Sequence, residues 1–99
     1  MKIFVQSVNF NIDKDLKVYI EEKLNTLNKF YDRVIDAEVF LKVQQTSDKE
    51  NKTVEVKLKV PGDNIIVKKV SKTFEEGVSL SVDALKRSLR KLKEKQRNH

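Results

Sequence analysis

The sequence predicts an α+β domain with the element order β-α-β-β-β-α, in which a four-stranded sheet carries two helices packed on one face. Apolar residues recur every three or four positions in two stretches, about 14–31 and from about 73 onward. In the segments between and before them, apolar residues occupy every second position. Three consecutive strands with polar outer faces are typical of an antiparallel sheet whose other face is covered by helices. The 99 residues have room for one core, so we expect residues 1–99 to form a single domain.

The first half of the chain is predicted to contain a strand, a helix and a second strand. Ile3, Val5 and Ser7 alternate with Lys2, Phe4 and Gln6, which predicts a short first strand. Asp13 is predicted to cap a helix over about 14–31. From about residue 35 the period changes to two, which predicts the second strand. The helix has the apolar row Leu16, Tyr19, Ile20, Leu24, Leu27 and Tyr31.

The second half is predicted to contain a hairpin and a long helix. Residues 46–52 form a polar loop before a third strand over 54–60, and the turn residues at 61–64 lead into a fourth strand at about 65–70. The facing of that strand stays open, because three successive apolar residues at 65–67 fit either register. Thr73 is predicted to cap the last helix. Gly77 lies inside this helix at a cost of about 1 kcal/mol relative to alanine, and the pattern offers no reason for it.

The net charge of +6 is confined to one end of the chain. Residues 1–83 hold 14 basic and 14 acidic residues, whereas residues 84–99 hold seven basic residues and the single acid Glu94. A helix end tolerates one or two cations beside its C-terminal carbonyls, but seven indicate a polyanionic partner. Nucleic acid fits better than an anionic membrane, because the apolar row of the helix is needed for the core. The seven are Lys86, Arg87, Arg90, Lys91, Lys93, Lys95 and Arg97.

These cations form two rows that flank the apolar row of the last helix. One flank holds residues 86, 90, 93 and 97, and the other holds residues 87, 91 and 95. Like charges at such spacings destabilise an isolated helix, and release of counterions from a phosphate backbone would offset that cost. If both helices cover the same sheet face, we expect the groove between them to be bordered also by Lys17, Lys23, Lys29 and Arg33 of the first helix and its end.

Two other classes of site are less favoured by the sequence. Phe4 and Phe40 are predicted to share the outer sheet face with Lys2, Lys42 and other lysines, where base stacking is one interpretation and strand packing the favoured one. An enzyme is not expected: the chain has no cysteine, two glycines, and one histidine, His99, predicted to be frayed. We expect no cofactor, no small-molecule substrate and no membrane span, and a cytoplasmic protein.

The chain resembles the short form of the ribosome hibernation promoting factor family, also described as ribosome-associated inhibitors. The resemblance covers nearly the full length and depends on the order and spacing of several segments. Ser79 departs from it, where the family usually has aspartate, and Ser88 stands where glutamine is common. The segments are Ile20-Glu21-Glu22-Lys23-Leu24 with Leu27, Phe30-Tyr31-Asp32-Arg33, Val39-Phe40-Leu41-Lys42-Val43, Thr73-Phe74-Glu75-Glu76, Val82-Asp83-Ala84-Leu85-Lys86-Arg87-Ser88-Leu89 and Lys91-Leu92-Lys93-Glu94-Lys95.

This resemblance implies a fold similar to double-stranded-RNA-binding domains and a site on ribosomal RNA in the decoding channel of the small ribosomal subunit. There the protein would block messenger and transfer RNA and stabilise idle ribosomes in stationary phase or stress. The sequence lacks the second, dimerising domain of long-form members, so we expect a monomer off the ribosome. The implied RNA-binding residues are Lys23, Lys29, Arg33, Lys42, Lys86, Arg87, Arg90, Lys91 and Lys93.

Two alternatives use the same basic helix. One is a domain that binds free double-stranded RNA, although such domains usually carry lysines at the start of their second helix, where this chain has Glu75 and Glu76. The other is a regulatory module whose basic helix meets an acidic protein. Insensitivity of function to ribonuclease would favour the second alternative.

Overall fold

The structure, a computed structural model, describes residues 1–97, with side chains for residues 1–95. The predicted element order is confirmed. The side chain of Arg97 and the predicted fraying of His99 lie outside the described residues. The elements are β1 (Lys2–Val8), α1 (Lys14–Phe30), β2 (Asp36–Val43), β3 (Lys52–Val60), β4 (Asp63–Ser71) and α2 (Phe74–Arg97).

The four strands form one sheet in the order β1-β2-β3-β4. The pairs β2–β3 and β3–β4 are antiparallel, as the run of three strands predicts. β1 is parallel to β2, because α1 crosses between them and returns the chain to the same end of the sheet. The sheet is therefore mixed, a feature that the periodicity of the strands does not reveal.

Both helices begin directly after the residues predicted to cap them. Asp13 Oδ1 accepts a hydrogen bond from the Leu16 N–H at 2.7 Å, and Thr73 Oγ1 accepts one from the Glu76 N–H at 3.1 Å. Each side chain satisfies an amide that the first helical turn leaves without a backbone partner. α1 ends at Phe30, one residue earlier than predicted, because Tyr31 has extended backbone angles.

The hairpin between β3 and β4 is tighter than predicted. Val60 pairs with Asp63, so the loop is the dipeptide Pro61-Gly62, and β4 begins at residue 63 instead of about 65. Gly62 has φ +78°, which proline at the first central position and glycine at the second favour in a type II turn. The pairing also fixes the open register: Ile65 and Val67 oppose inward-facing residues of β3, and Ile66 is 62% exposed.

The core lies between the sheet and both helices, which cover the same face. Gly77 of α2 lies so close to β3 that a Cβ atom there would be 2.7 Å from Val54 Cγ2. The absence of a side chain thus lets α2 approach the sheet, which accounts for a glycine inside a helix. The buried core residues are Leu16, Ile20, Leu24, Leu27, Tyr31, Val34, Ala37, Val39, Leu41, Val54, Val56, Leu58, Val60, Phe74, Val78, Val82, Leu85 and Leu89.

Candidate nucleic-acid interface

The two helices lie side by side and point in the same direction. Near their starts, the Tyr19 hydroxyl of α1 donates a hydrogen bond to the Glu75 carbonyl of α2 at 3.3 Å. Near the other end, the Lys93 ammonium of α2 donates one to the Phe30 carbonyl of α1 at 3.1 Å. Since starts meet starts and ends meet ends, the helices are parallel. The negative ends of both helix dipoles therefore point toward the end of the domain that carries the excess of lysine and arginine.

A groove at this end brings together four of the predicted RNA-binding residues. Lys29 and Arg33 come from the end of α1 and the residues after it, and Arg90 and Lys93 come from α2. All four are exposed. Two acids that the sequence did not place in the groove, Asp32 and Glu94, also line it, as do Phe30 and Tyr31. The groove is therefore a mixed surface with an excess of two positive charges.

The ammonium group of Lys93 makes two contacts with Phe30 at the end of α1. Besides its hydrogen bond to the Phe30 carbonyl, the nitrogen lies 4.9 Å from the centroid of the Phe30 ring. The electron-rich face of the ring and the free carbonyl at the end of the helix each stabilise the positive charge. Lys93 thus ties the ends of α1 and α2 together, and an ammonium with three donors retains capacity for a further acceptor.

Lys23 and Lys86 extend the positive surface along the groove. The Lys23 nitrogen lies 5.6 Å from the centroid of the Tyr19 ring, and Tyr19 reaches α2 through its hydroxyl, so Lys23 lies on the side of α1 that faces α2. Lys86 is half-buried and occupies the same flank of α2 as Arg90. Lys17 does not border the groove, contrary to expectation, because at about 100° per residue it lies on roughly the opposite side of α1 from Tyr19.

The second flank of α2 faces the start of β4. Lys91 and Lys95 line a shallower groove with Asn64, Ile66 and other residues of β4 and α2. Arg87, on the same flank one turn before Lys91, is exposed. The C-terminal half of α2 is therefore a ridge with exposed cations on both sides, as the two predicted rows require.

Lys42 is separated from the other predicted residues by the sheet. In β2 it pairs with Thr53 of β3 and with Val8 of β1, and it lies on the same side as Phe40, the surface opposite the helices. The period-two pattern predicts this facing, whereas the resemblance assigns Lys42 to the RNA-binding set. Eight of the nine predicted residues thus belong to the helical side of the domain and one does not.

The outer sheet face carries three pairs of opposite charge across its strands, whereas Lys42 lies opposite no acid. Asp36 lies opposite Lys59, Glu38 opposite Lys57, and Glu55 opposite Lys68. Opposite charges directly across a strand pair stabilise a sheet. Phe4, 54% exposed, and Phe40, half-buried, share this face as predicted. A surface with alternating acids and lysines favours the packing interpretation of these rings over base stacking.

The described residues contain no group of three or more histidine, cysteine, aspartate or glutamate side chains arranged to hold a metal ion. Neither α1 nor α2, the two helices of the described chain, has the length and apolar character that crossing a bilayer requires.

Comparisons with known proteins converge on one family. The profile of the family described as sigma 54 modulation protein / S30EA ribosomal protein matches residues 3–97. A ribosome hibernation promotion factor of Deinococcus radiodurans is 34% identical over 86 residues, which are 86% of this chain and 45% of that protein. A ribosome hibernation promoting factor of Pseudomonas putida is 26% identical over 98 residues, which are 99% of this chain and 92% of that protein.

The fold has close relatives among solved structures. A ribosomal subunit interface protein from Coxiella burnetii superposes with a TM-score of 0.83 at 24% sequence identity, over 94% of this chain and 98% of that one. At this identity the likeness concerns the fold. It agrees with the predicted arrangement of one sheet and two helices on a single face.

Proposed function

Because the chain belongs to the sigma 54 modulation protein / S30EA ribosomal protein family, we propose that it is a ribosome-associated hibernation factor that acts in the cytoplasm by binding, not by catalysis. Its relatives from Deinococcus radiodurans and Pseudomonas putida carry the name of ribosome hibernation factors. The finer proposal is that residues 1–99 form one ribosome-binding domain, monomeric off the ribosome. It binds small-subunit ribosomal RNA in the decoding channel and excludes messenger and transfer RNA.

The observation that carries this proposal is the ridge of α2, with exposed cations on both flanks and a second helix beside it. Folded RNA presents phosphates on both walls of its grooves and channels. A helix with cations on two sides can contact both walls at once, whereas a one-sided basic patch contacts one. Lys29, Arg33 and Arg90 supply donors on the α1 side, and Arg87 and Lys91 supply them on the β4 side.

Such contacts are largely independent of base sequence, because phosphate contacts position a protein and base contacts specify a sequence. What selects the ribosome is then the shape of the RNA, into which the rigid pair of helices must fit. The cation–π contact and the hydrogen bond of Lys93 to Phe30 hold the two helices in fixed relation. A rigid surface loses little conformational entropy when it binds.

The test is co-sedimentation of the purified chain with small ribosomal subunits over a salt series, with and without messenger RNA and initiator transfer RNA. If about seven phosphates are neutralised, log K falls with log salt at a slope of roughly −5 to −6. We expect saturable one-to-one binding that the two RNA ligands displace. A slope near zero, or no binding at physiological salt, would contradict the proposal.

The same assay separates the alternatives. Undisplaced binding to the subunit, together with equal affinity for free duplex RNA, would favour a double-stranded-RNA-binding domain. The acidic residues Glu75 and Glu76 in the first turn of α2 argue against that outcome, because they repel phosphate at the helix start. Function that survives ribonuclease treatment would favour an acidic protein partner.

A further inference from the structure

The sheet leaves β4 as an edge strand. Within residues 1–97 the sheet order ends at β4, whose only paired neighbour is β3. The pairing is continuous from Lys52–Ser71 to Val60–Asp63, so no bulge twists the strand away. Its nine residues contain no proline. A regular edge strand presents a row of unpaired amide and carbonyl groups, which natural proteins usually protect.

Lysines surround this edge. Lys68 and Lys72 are exposed, and Lys69 is half-buried at the end of the strand. From α2, Lys91 and Lys95 line the groove beside Asn64 and Ile66 of β4. Asp63 is the only acid in residues 63–72. The edge therefore has an excess of positive charge, counting Asp63 and the acid Glu55 that lies opposite Lys68 on β3.

Apolar side chains interrupt the lysines on the outer face of the same strand. Ile66 is 62% exposed and Val70 is 41% exposed, with Lys68 between them. Ile66 has the largest exposed fraction among the exposed large hydrophobic residues of the described chain. An added strand would cover both side chains, since cross-strand neighbours on one face lie about 5 Å apart.

We infer that β4 is a docking edge for an extended, acidic polypeptide segment, which joins the sheet as a fifth strand. A polypeptide supplies both amide donors and carbonyl acceptors to the unpaired edge, whereas a phosphate backbone supplies acceptors alone. A second copy of this chain would place two lysine-rich edges against each other, which like charges disfavour. An acidic segment instead complements the lysines on both sides of the strand.

The opposite edge of the sheet provides an internal control. β1 (Lys2–Val8) is also paired on one side only within the described residues, and it exposes Phe4. It contains a single lysine and no acid. Backbone pairing alone would recruit a strand to either edge, whereas the proposed charge complementarity selects β4.

The experiment is an NMR titration of the full chain with a blocked nine-residue peptide of alternating glutamate and valine. Two control peptides accompany it: one with lysine in place of glutamate, and one with proline in place of valine. We expect shifts concentrated at 63–71 and hydrogen exchange slowed at alternate amides of β4 by about tenfold or more, as for newly paired amides. Neither control peptide should produce them.

Variants complete the test. The double substitution Lys68→Gln/Lys72→Gln should lower the affinity for the acidic peptide by about tenfold. Charges at the rim of an interface act mainly through long-range attraction, which depends on salt. Retained sedimentation of that variant with ribosomes would support two separate surfaces. The inference is overturned by equal shifts at β1 and β4, by equal binding of the proline peptide, or by shifts centred on the groove of Arg33 and Arg90.

Discussion

The two faces of this domain are both rich in lysine, yet they use it differently. On the outer sheet face, Lys57 and Lys59 lie directly opposite Glu38 and Asp36, so every acid of this face has a lysine across the strands from it. On the helical side, α2 places like charges next to one another in rows along both flanks. Balanced pairs are what a stable sheet needs, whereas unbalanced rows cost stability and favour an external polyanion. The arrangement of charge, more than its amount, therefore distinguishes the proposed RNA-binding surface from the outer sheet face.

The largest expected effect is a loss of stability when a side chain is truncated in the core between the helices and the sheet. Leu85 lies on the buried side of α2 and is fully buried. Leu85→Ala should therefore lower the free energy of unfolding by about 2–5 kcal/mol, through lost apolar burial and the cavity left behind. Urea denaturation followed by circular dichroism measures it. The matched control is Leu80→Ala on the same helix: Leu80 is 42% exposed, and its loss should change stability by about 0.5 kcal/mol or less. Equal effects of the two substitutions would mean that the buried side of α2 is misassigned.

The comparison of the two faces is sharpened by two double variants that lose the same charge. Arg33→Ala/Arg90→Ala removes two groove cations, and Lys17→Ala/Lys59→Ala removes one cation from the far side of α1 and one from the outer sheet face. If each groove contact is a charged hydrogen bond worth about 1.5 kcal/mol, the first variant should lose roughly 100-fold in affinity for the small subunit.

The control variant should lose little, since its cations face away from the proposed contact. Its effect should be confined to the screened, long-range attraction that both variants share, and should fade as salt rises. Sedimentation with the small subunit at two salt concentrations measures the affinity of each variant and its dependence on salt. Equal losses would mean that net charge, and not the two-helix surface, governs binding.

A smaller effect is expected where α2 meets the sheet. Gly77→Ala gains about 1 kcal/mol of helix propensity, but the new Cβ would lie 2.7 Å from Val54 Cγ2. Overpacking at such a contact costs about 1–3 kcal/mol, so we expect a net loss of stability. Thermal denaturation checks it, and Val54→Ala in the same background should restore part of the loss, because it removes the atom that clashes. A stabilised single variant would mean that the helix can shift away from β3 at no cost.

Sequence reasoning predicted the helices, their caps and the two cation rows because these depend on local spacing. The direction of β1 and the register of β4 depend on strand pairing, which three successive apolar residues at 65–67 leave ambiguous. The reason for a glycine at position 77 could not be predicted, because it depends on how closely α2 approaches Val54 of β3. The place of the acids Asp32 and Glu94 in the groove depends on how the ends of the two helices come together, although Asp32 stands directly beside Arg33 in the sequence. For Lys42, the strand period predicted the outer face correctly, whereas resemblance alone had grouped it with the helices.

The smallest expected effect tests whether one residue can serve both stability and binding. Lys93→Met keeps the apolar stem but removes the ammonium that contacts the carbonyl and ring of Phe30. Its loss should cost about 0.5–1 kcal/mol of stability, as for an exposed cation–π contact or a single hydrogen bond. If the same ammonium also meets a phosphate, the salt slope of ribosome binding should fall in magnitude by about 1.

The matched substitution is Lys95→Met, two residues away on the other flank, where the side chain is exposed in the groove beside β4. It should leave stability unchanged, because no helix carbonyl or ring within residues 1–95 holds its ammonium, and any effect should appear in the salt slope. A loss of stability without a change of slope for Lys93→Met would assign that residue to holding the helices together. The α1 side of the proposed RNA surface would then depend on Lys29, Arg33 and Arg90, held in place by a lysine that never touches the RNA.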